Sequence, residues 1–185
     1  MIAERKAIQF CGFGGQGVIL AALIFGSTAV TKQGYYAVQT QSFGSEARGG
    51  ECQAELILSK AQIFSPTADY ADILVAMSDL AFARYVGRLK SGGTLIMDPD
   101  MVTRPNRSDL KIYEVKANHI GKELGFAMSS NMVFLGALHR FSGILTDQQL
   151  FDGIIENVTE RFADVNIKAA QTGIDIMSEL LKQVS

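Results

Sequence analysis

The glycines of one short turn are the residues in this chain best suited to chemistry. The turn, Gly12-Phe-Gly-Gly-Gln-Gly17, follows an apolar segment, Ala7-Ile-Gln-Phe-Cys11, and precedes a largely apolar segment that starts at Val18. We predict a strand before the turn and a helix after it. Glycines let a backbone turn tightly and approach an anion, and the N-terminus of the following helix presents free N–H groups to that anion. The turn is therefore a candidate phosphate-binding site formed by Gly12, Gly14, Gly15, Gln16 and Gly17.

Two alternatives limit this interpretation. A dinucleotide-binding turn also has an acidic residue about 20 positions further on, which binds the ribose hydroxyls. The corresponding segment, Tyr36–Gln41, contains no acid, and the nearest one, Glu46, lies beyond the second predicted strand. This absence argues against an NAD(P)-dependent oxidoreductase. The other alternative is that the glycines only allow a strand and a helix to pack tightly, although the doubled Gly14-Gly15 and the Gln16 amide, which both donates and accepts, go beyond that need.

A second glycine-rich segment, Ser42-Phe-Gly-Ser-Glu-Ala-Arg-Gly-Gly50, follows the second predicted strand. Ligands of open parallel sheets gather at the carboxyl ends of the strands, so we expect this segment to lie beside the turn. Its candidate contact residues are Ser42, Phe43, Gly44, Glu46, Arg48, Gly49 and Gly50. The Arg48 guanidinium is suited to a phosphate, a carboxylate or an acidic partner. The alternative is an exposed Arg48–Glu46 pair, which contributes little.

The sequence offers no catalytic or metal-binding constellation. Its two histidines, His119 and His139, have no metal-ligand spacing. The only cysteines, Cys11 and Cys52, form no CxxC pair, so no iron–sulfur site is predicted. Asp98 ends a predicted strand as a candidate ligand-facing carboxylate, although its commoner role is to cap the Asp-Pro turn. We therefore predict no catalytic residue and no metal site in this chain.

Composition excludes several classes of protein. The 185 residues suffice for one domain, and 48% hydrophobic with 19% charged residues is an ordinary globular balance. The formal charge is −2, and the Lys and Arg residues form no basic stripe for nucleic acid. The longest apolar run, Val18–Phe25, is far below the ~20 residues that cross a bilayer, and no signal-peptide layout is seen. We expect a cytoplasmic protein that contacts neither nucleic acid nor a membrane.

Short apolar strands alternate with amphipathic helices along the chain. Strands are predicted at Ala7–Cys11, Tyr35–Gln41, Cys52–Leu58, Ile73–Met77, Thr94–Met97 and Lys111–Lys116. Helices are predicted at Val18–Gln33, after Ser78, at Asn131–Phe141, after Thr146 and from Asn166. Such alternation is typical of a mostly parallel sheet with helices on both faces. We therefore predict one α/β domain over residues 1–185, Rossmann-like, with a helical C-terminal third.

Local signals add detail to these elements. Ser78 is expected to cap the helix that follows it, and Thr146 with Gln149 to form a capping box. Ser91–Gly93 is predicted to be a turn. Val18–Phe25 is apolar on too many sides for a helix with a solvated face. It is therefore covered by other elements of the domain or meets another subunit.

The chain also resembles a known family, the gamma subunits of 2-oxoacid:ferredoxin oxidoreductases and the equivalent domain of fused pyruvate and indolepyruvate enzymes. Two motifs carry the resemblance most specifically, Gly12-Phe-Gly-Gly-Gln-Gly17 and Thr40-Gln-Ser-Phe-Gly-Ser-Glu-Ala-Arg-Gly-Gly50. Further matches cover nearly the whole chain in order. They are Ala71-Asp-Ile-Leu-Val-Ala-Met77, Gly92-Gly-Thr-Leu-Ile-Met-Asp98, Asn131-Met-Val-Phe-Leu-Gly-Ala-Leu138 and Asn166-Ile-Lys-Ala-Ala-Gln-Thr-Gly173.

The resemblance implies one subunit of an enzyme that oxidises a 2-oxoacid with coenzyme A to an acyl-CoA and carbon dioxide, and passes electrons to ferredoxin. Thiamine diphosphate and iron–sulfur clusters are implied to reside in partner subunits: alpha, beta and a ferredoxin-like subunit. The candidate residues of the turn and of Ser42–Gly50 would then face these partners or coenzyme A. Asn131 matches a family position to which the sequence assigns no role.

The resemblance is greater to the 2-oxoglutarate type than to the pyruvate type, which more often has Arg at the position of Phe13. The stretch Gln39-Thr-Gln-Ser-Phe43 favours the same assignment. Branched-chain 2-oxoacid enzymes are close, and substrate choice is expected to reside mainly in other subunits. The alternative function is a stand-alone module that binds a nucleotide or coenzyme A, or an NAD(P)-dependent oxidoreductase.

Overall fold

Six strands form a mixed sheet in this computed structural model, which describes residues 5–43 and 50–184. The strands are β1 Arg5–Phe13, β2 Tyr36–Phe43, β3 Glu51–Ser59, β4 Ala71–Ala76, β5 Leu89–Met97 and β6 Lys111–Glu114. Their order across the sheet is β2-β3-β1-β4-β5-β6. β3 is antiparallel to both of its neighbours and the remaining pairings are parallel, so five strands run in one direction. The predicted mostly parallel sheet is confirmed.

Six helices connect and cover the strands. They are α1 Val18–Gln33, α2 Asp79–Tyr85, α3 Ala117–Glu123, α4 Ser130–Ser142, α5 Asp147–Asn157 and α6 Ala163–Val184. The bounds predicted for α1 are confirmed, and the Thr146–Gln149 capping box is formed at the start of α5. The prediction that the last helix opens at Asn166 is wrong by three residues. A 3-10 turn, Glu160–Phe162, leads directly into α6, and the Asn166 side chain donates back to the Phe162 carbonyl.

The core has two layers, one on each face of the sheet. The larger layer packs side chains of α1, α4, α5 and α6 against Ile8, Phe10 and Leu56. The smaller layer packs α2 against the opposite face, where Leu74 and Leu95 lie. Helices therefore cover both faces, as predicted. No helix of the described residues is both long enough and apolar enough to cross a membrane.

Two local predictions are wrong. Ser91–Gly93 is not a separate turn, because β5 runs through it with an irregular register against β4, and Gly92 adopts a left-handed φ of 72° there. Ser78 does occupy the N-cap of α2, but its hydroxyl accepts no hydrogen bond from the helix and has no partner among the described residues. The first residue of α2, Asp79, does not cap the helix either. Its carboxylate accepts a hydrogen bond from the backbone N–H of Thr103, which lies outside the helix.

The helices α4 and α6 cross with their backbones in close contact. A Cβ atom on Gly136 would lie 1.9 Å from the carbonyl oxygen of Ala170. A Cβ atom on Gly173 would lie 1.9 Å from the carbonyl oxygen of Val133. Two of the segments that carry the family resemblance, 131–138 and 166–173, therefore meet here backbone to backbone. Their glycines serve the packing of α4 on α6.

Candidate functional site

The glycine turn leaves the carboxyl end of β1 and enters α1, as predicted. Gly15 and Gly17 have left-handed φ values of 97° and 74°, and Gly17 is the N-cap of α1. A left-handed backbone strains residues that carry a Cβ atom, so these two positions favour glycine for their conformation alone. α1 has no side-chain cap and no acidic residue in its first turn. Its positive end is therefore not neutralised by its own side chains.

The Gln16 side chain closes the turn from inside. Its Oε1 accepts a hydrogen bond from the backbone N–H of Phe13 at 2.6 Å, and its Nε2 donates to the carbonyl of Met77 at 3.2 Å. The amide thus ties the turn to the end of β4, which is the neighbouring strand of β1. The dual donor and acceptor capacity that singled out Gln16 in the sequence is used within the chain.

The end of the second glycine-rich segment lies against the turn. The backbone N–H of Gly14 donates to the carbonyl oxygen of Gly50 at 2.9 Å. Ser42 and Phe43 end β2 at the same edge of the sheet, and Phe43 is 64% exposed. The expected proximity of the two segments is therefore observed at Gly50. The candidate residues Gly44, Glu46, Arg48 and Gly49 lie outside the described residues.

Asn131, which had no role assigned from the sequence, contacts the turn. Its Nδ2 donates to the Gly17 carbonyl at 3.2 Å, and a Cβ atom on Gly17 would lie 2.1 Å from Nδ2. Asn131 is only 3% exposed, and its Oδ1 has no hydrogen-bond partner among the described residues. Contact over more than a hundred positions of sequence is invisible to local patterns. Only the family resemblance singled out Asn131.

The glycines of the turn differ in how much space a Cβ atom would have at each position. A Cβ atom on Gly12 would lie 2.6 Å from the Oε1 of Gln16, so Gly12 is required by the side chain that closes the turn. Gly17 is required by Asn131 in the same way. At Gly14 the nearest described atom, the Gly50 carbonyl oxygen, is 3.7 Å away, which is an ordinary contact distance. At Gly15 no described atom lies within 4 Å. Packing of the described chain therefore explains Gly12 and Gly17, and leaves Gly14 without a steric reason.

A cavity of about 420 Å³ opens on the other side of the turn. It lies between the starts of α1 and α4 and the connection from α5 to α6. Its walls are largely apolar, and its lining includes Gly15, Gly17, Leu20, Phe126, Asn131 and Phe162. The Phe126 and Phe162 rings are stacked, with centroids 4.6 Å apart. No sequence pattern indicated this cavity, because its lining comes from three separate stretches of chain.

The polar residues that invite a catalytic assignment have structural roles. Asp98 is buried, and its two carboxylate oxygens accept hydrogen bonds from the backbone N–H groups of Asp100 and Asn118. The Nε2 of His139 lies 2.7 Å from the carboxylate of Asp147, which links α4 to the start of α5. These contacts agree with the capping role weighed for Asp98 and with a structural histidine.

The Cys11 thiol is also unsuited to chemistry. Burial raises its pKa to about 12, against the lowering effect of a hydrogen bond from the Met77 backbone. A thiol with this pKa stays protonated at neutral pH and is a poor nucleophile and metal ligand. Among the described residues, no group of three or more His, Cys, Asp or Glu side chains is placed to hold a metal ion.

The fold and the glycine turn indicate the class of protein to which the chain belongs. This is an α/β domain whose glycine turn is held by the side-chain amides of Gln16 and Asn131, with a largely apolar cavity beside the turn. The chain belongs to the family described as pyruvate ferredoxin/flavodoxin oxidoreductase, whose model matches residues 7–176.

Relatives that match over nearly their full length indicate the type of subunit within this family. The chain is 41% identical to the 2-oxoglutarate synthase subunit KorC of Methanothermobacter thermautotrophicus over 97% of this chain and 98% of that protein. The keto/oxoacid ferredoxin oxidoreductase gamma subunit of Geobacter sulfurreducens has a similar structure, with a TM-score of 0.83 and 33% identity over 94% of this chain and 99% of the other.

A longer protein contains the same fold as one part. The 2-oxoglutarate:ferredoxin oxidoreductase of Magnetococcus marinus superposes with a TM-score of 0.87 over 96% of this chain and 32% of that chain, at 21% identity. This likeness concerns the fold alone. The resemblance inferred from the sequence is confirmed, and these similarities favour an oxidoreductase subunit over a stand-alone binding module.

Proposed function

We propose that this chain is the gamma subunit of a 2-oxoglutarate:ferredoxin oxidoreductase. The complex would oxidise 2-oxoglutarate with coenzyme A to succinyl-CoA and carbon dioxide, and pass the released electrons to ferredoxin. The observation that carries this proposal is the 41% identity to a 2-oxoglutarate synthase subunit over nearly the full length of both chains. The same substrate assignment was favoured in the sequence by Phe13 and by the stretch Gln39-Thr-Gln-Ser-Phe43.

The gamma subunit would support the reaction without performing its chemistry. The described residues supply neither a metal cluster nor a thiolate, since Cys11 is a protonated core thiol. Thiamine diphosphate and the iron–sulfur clusters would be held by the alpha, beta and ferredoxin-like partner subunits. This division of labour follows the family resemblance.

The edge of the sheet where the two glycine-rich segments meet would face those partners. Gly14 has no steric reason to be glycine within the described chain, and its backbone N–H anchors Gly50. Phe43, which ends β2 at the same edge of the sheet, is largely exposed, and this suits a surface that is covered in the complex. We place the partner contact here, and with it one wall of the coenzyme A site, formed by Gly14, Gly15 and the segment Ser42–Gly50.

Anaerobic purification of the tagged chain from its host tests the assignment. We expect thiamine-binding and iron–sulfur subunits to copurify in a fixed ratio, identified by mass spectrometry. The purified complex should reduce a viologen dye in a reaction that requires coenzyme A. 2-Oxoglutarate should be the best substrate in parallel assays with pyruvate, 2-oxoisovalerate and indolepyruvate.

The experiment tests the role as a subunit and the choice of substrate separately. Purification of the chain alone under gentle conditions would contradict its role as a subunit. A complete complex that prefers 2-oxoisovalerate or another acid would leave that role intact and overturn only the substrate.

A further inference from the structure

The cavity beside the glycine turn has the electrostatic character of an anion site. α1 and α4 both begin at it, and neither has a side-chain cap or an acidic residue in its first turn. The N-terminus of a helix is its positive end, so two such ends favour a negative group between them. Arg161 lies on the rim, where its guanidinium is 4.5 Å from the centre of the Phe162 ring. None of the described residues that line the cavity is acidic.

The walls of the cavity are apolar, and the apolar surface continues outside it. Leu20, Met128 and Met132 line the cavity together with the stacked phenylalanine rings. Met128 is 63% exposed. Leu23, one turn further along α1, is 45% exposed. A small ligand inside the cavity would leave Met128 and Leu23 largely exposed, whereas a protein segment crossing the rim would cover them. Exposed methionine is typical of surfaces that bind protein segments.

Asn131 adds an unmet hydrogen-bonding need. Its Nδ2 is engaged by the Gly17 carbonyl, and its buried Oδ1 has no donor among the described residues. A buried carbonyl oxygen without a donor is unfavourable, so a group that brings an N–H or O–H to it would be stabilising. A peptide backbone carries such N–H groups.

We propose that this cavity docks an acidic segment of a partner subunit. A carboxylate of the segment binds at the N-terminus of α1 near Arg161, a neighbouring apolar side chain packs on Phe126 and Phe162, and a backbone N–H donates to Asn131. This inference rests on the proposed function in one respect, since it requires that partner subunits exist. Charge complementarity and the exposed apolar rim favour this occupant over a small anion or a second copy of the chain.

A photo-crosslinking experiment in the intact complex identifies the occupant. p-Benzoylphenylalanine is introduced in place of Met128, the complex is purified anaerobically and irradiated, and the crosslinked peptides are sequenced by mass spectrometry. We expect crosslinks to one segment of a partner subunit in which an Asp or Glu lies next to an apolar residue. Crosslinks to a second copy of this chain, to a segment without an acid, or to no protein at all would overturn the proposal.

Charge reversal provides an independent test. Arg161→Glu should weaken assembly at least about tenfold, measured as partner retained at dilute concentration, because it opposes the acidic segment. The melting temperature of the isolated chain should fall only slightly, since Arg161 is exposed and its contact with the Phe162 ring is all that is lost. Lys111→Glu, an equal charge reversal at an exposed position on β6 that does not line the cavity, should assemble like the wild type.

The outcomes separate this inference from the proposed function. If the wild-type chain recovers no partner, the proposed function fails. If the wild type assembles and Arg161→Glu assembles equally well, the docking inference alone is wrong.

Discussion

Glycines allow close approach in two regions of the chain, the turn after β1 and the crossing of α4 with α6, and they are required there for different reasons. In the crossing, a Cβ atom on Gly136 or Gly173 would lie 1.9 Å from a backbone carbonyl oxygen of the facing helix. In the turn, the atoms nearest to a Cβ on Gly12 or Gly17 belong to the side chains of Gln16 and Asn131.

This difference decides what evolution or an experiment can change. Backbone cannot be removed by mutation, so the crossing tolerates a larger residue only if two long helices move apart. Side chains can be removed, so a clash in the turn can be relieved by a second substitution. The crossing is therefore a fixed element of the core. The turn can be adjusted by mutation, because the side-chain amides of Gln16 and Asn131 hold it in place.

The largest effect is expected from Gly173→Ala in the crossing. The new methyl group overlaps the Val133 carbonyl and separates α4 from α6, so we expect a loss of about 3 kcal/mol in the free energy of unfolding. Urea unfolding of the isolated chain measures this loss. Gly87→Ala is the matched control, because no described atom lies within 4 Å of its Cβ position and its φ is ordinary. It should leave stability unchanged or raise it by about 0.5 kcal/mol. Equal stability of the two variants would show that the crossing is not close-packed.

A double-mutant cycle on Gly17 and Asn131 should show the opposite property of the turn. Gly17→Ala alone should cost about 3 kcal/mol, from the left-handed φ of 74° and the overlap with Nδ2. Asn131→Ala alone should cost about 1 kcal/mol for the lost hydrogen bond. In the Asn131→Ala background the overlap is absent, so Gly17→Ala should cost only about 1 kcal/mol for its backbone conformation. Unfolding free energies of the four proteins give the coupling, and additive effects would contradict direct contact between the two residues.

Gln16→Ala tests the internal role of the amide with a smaller effect. Loss of the hydrogen bonds to Phe13 and Met77 should cost about 2 kcal/mol. Gln148→Ala is the control, since its amide donates to the Asp152 carboxylate at the surface, and a change of less than about 0.5 kcal/mol is expected there. If both variants are equally stable, the Gln16 amide is available for a ligand, and its interpretation as an internal tie is wrong.

The sequence predicted the elements well because their signals are local. The bounds of α1 follow from its apolar run and from Gly34, whose φ of 63° closes the helix. The capping box of α5 could be predicted because Thr146 and Gln149 have the required spacing. The failures were also local rules overridden by tertiary structure. Ser78 occupies the expected cap position, but its hydroxyl is buried away from the helix.

Only part of the candidate site could be predicted from the sequence. Adjacent residues in the glycine turn were found from their spacing, and the general rule for parallel sheets brought Gly50 beside Gly14. Asn131 and the cavity were not derivable, since they depend on how α4 and the start of α6 pack against α1. The internal hydrogen bonds of Gln16 could not be predicted from the sequence for the same reason. A sequence shows that an amide has two hydrogen-bonding groups, but only the fold shows that the Phe13 N–H and the Met77 carbonyl satisfy both.

Gly14→Ala should have the smallest effect on stability, and it gives the sharpest test of the comparison. Its φ is ordinary and its Cβ would lie 3.7 Å from the Gly50 carbonyl, so the free energy of unfolding of the isolated chain should change by less than about 0.5 kcal/mol. The assembled complex should nevertheless lose activity or show a higher KM for coenzyme A, because the methyl group projects from the edge that we assign to the partners and the cofactor. Normal activity with normal stability would mean that Gly14 serves neither packing nor contact. Lower stability of the isolated chain would assign Gly14 to packing, and the turn would then use its glycines as the helix crossing does.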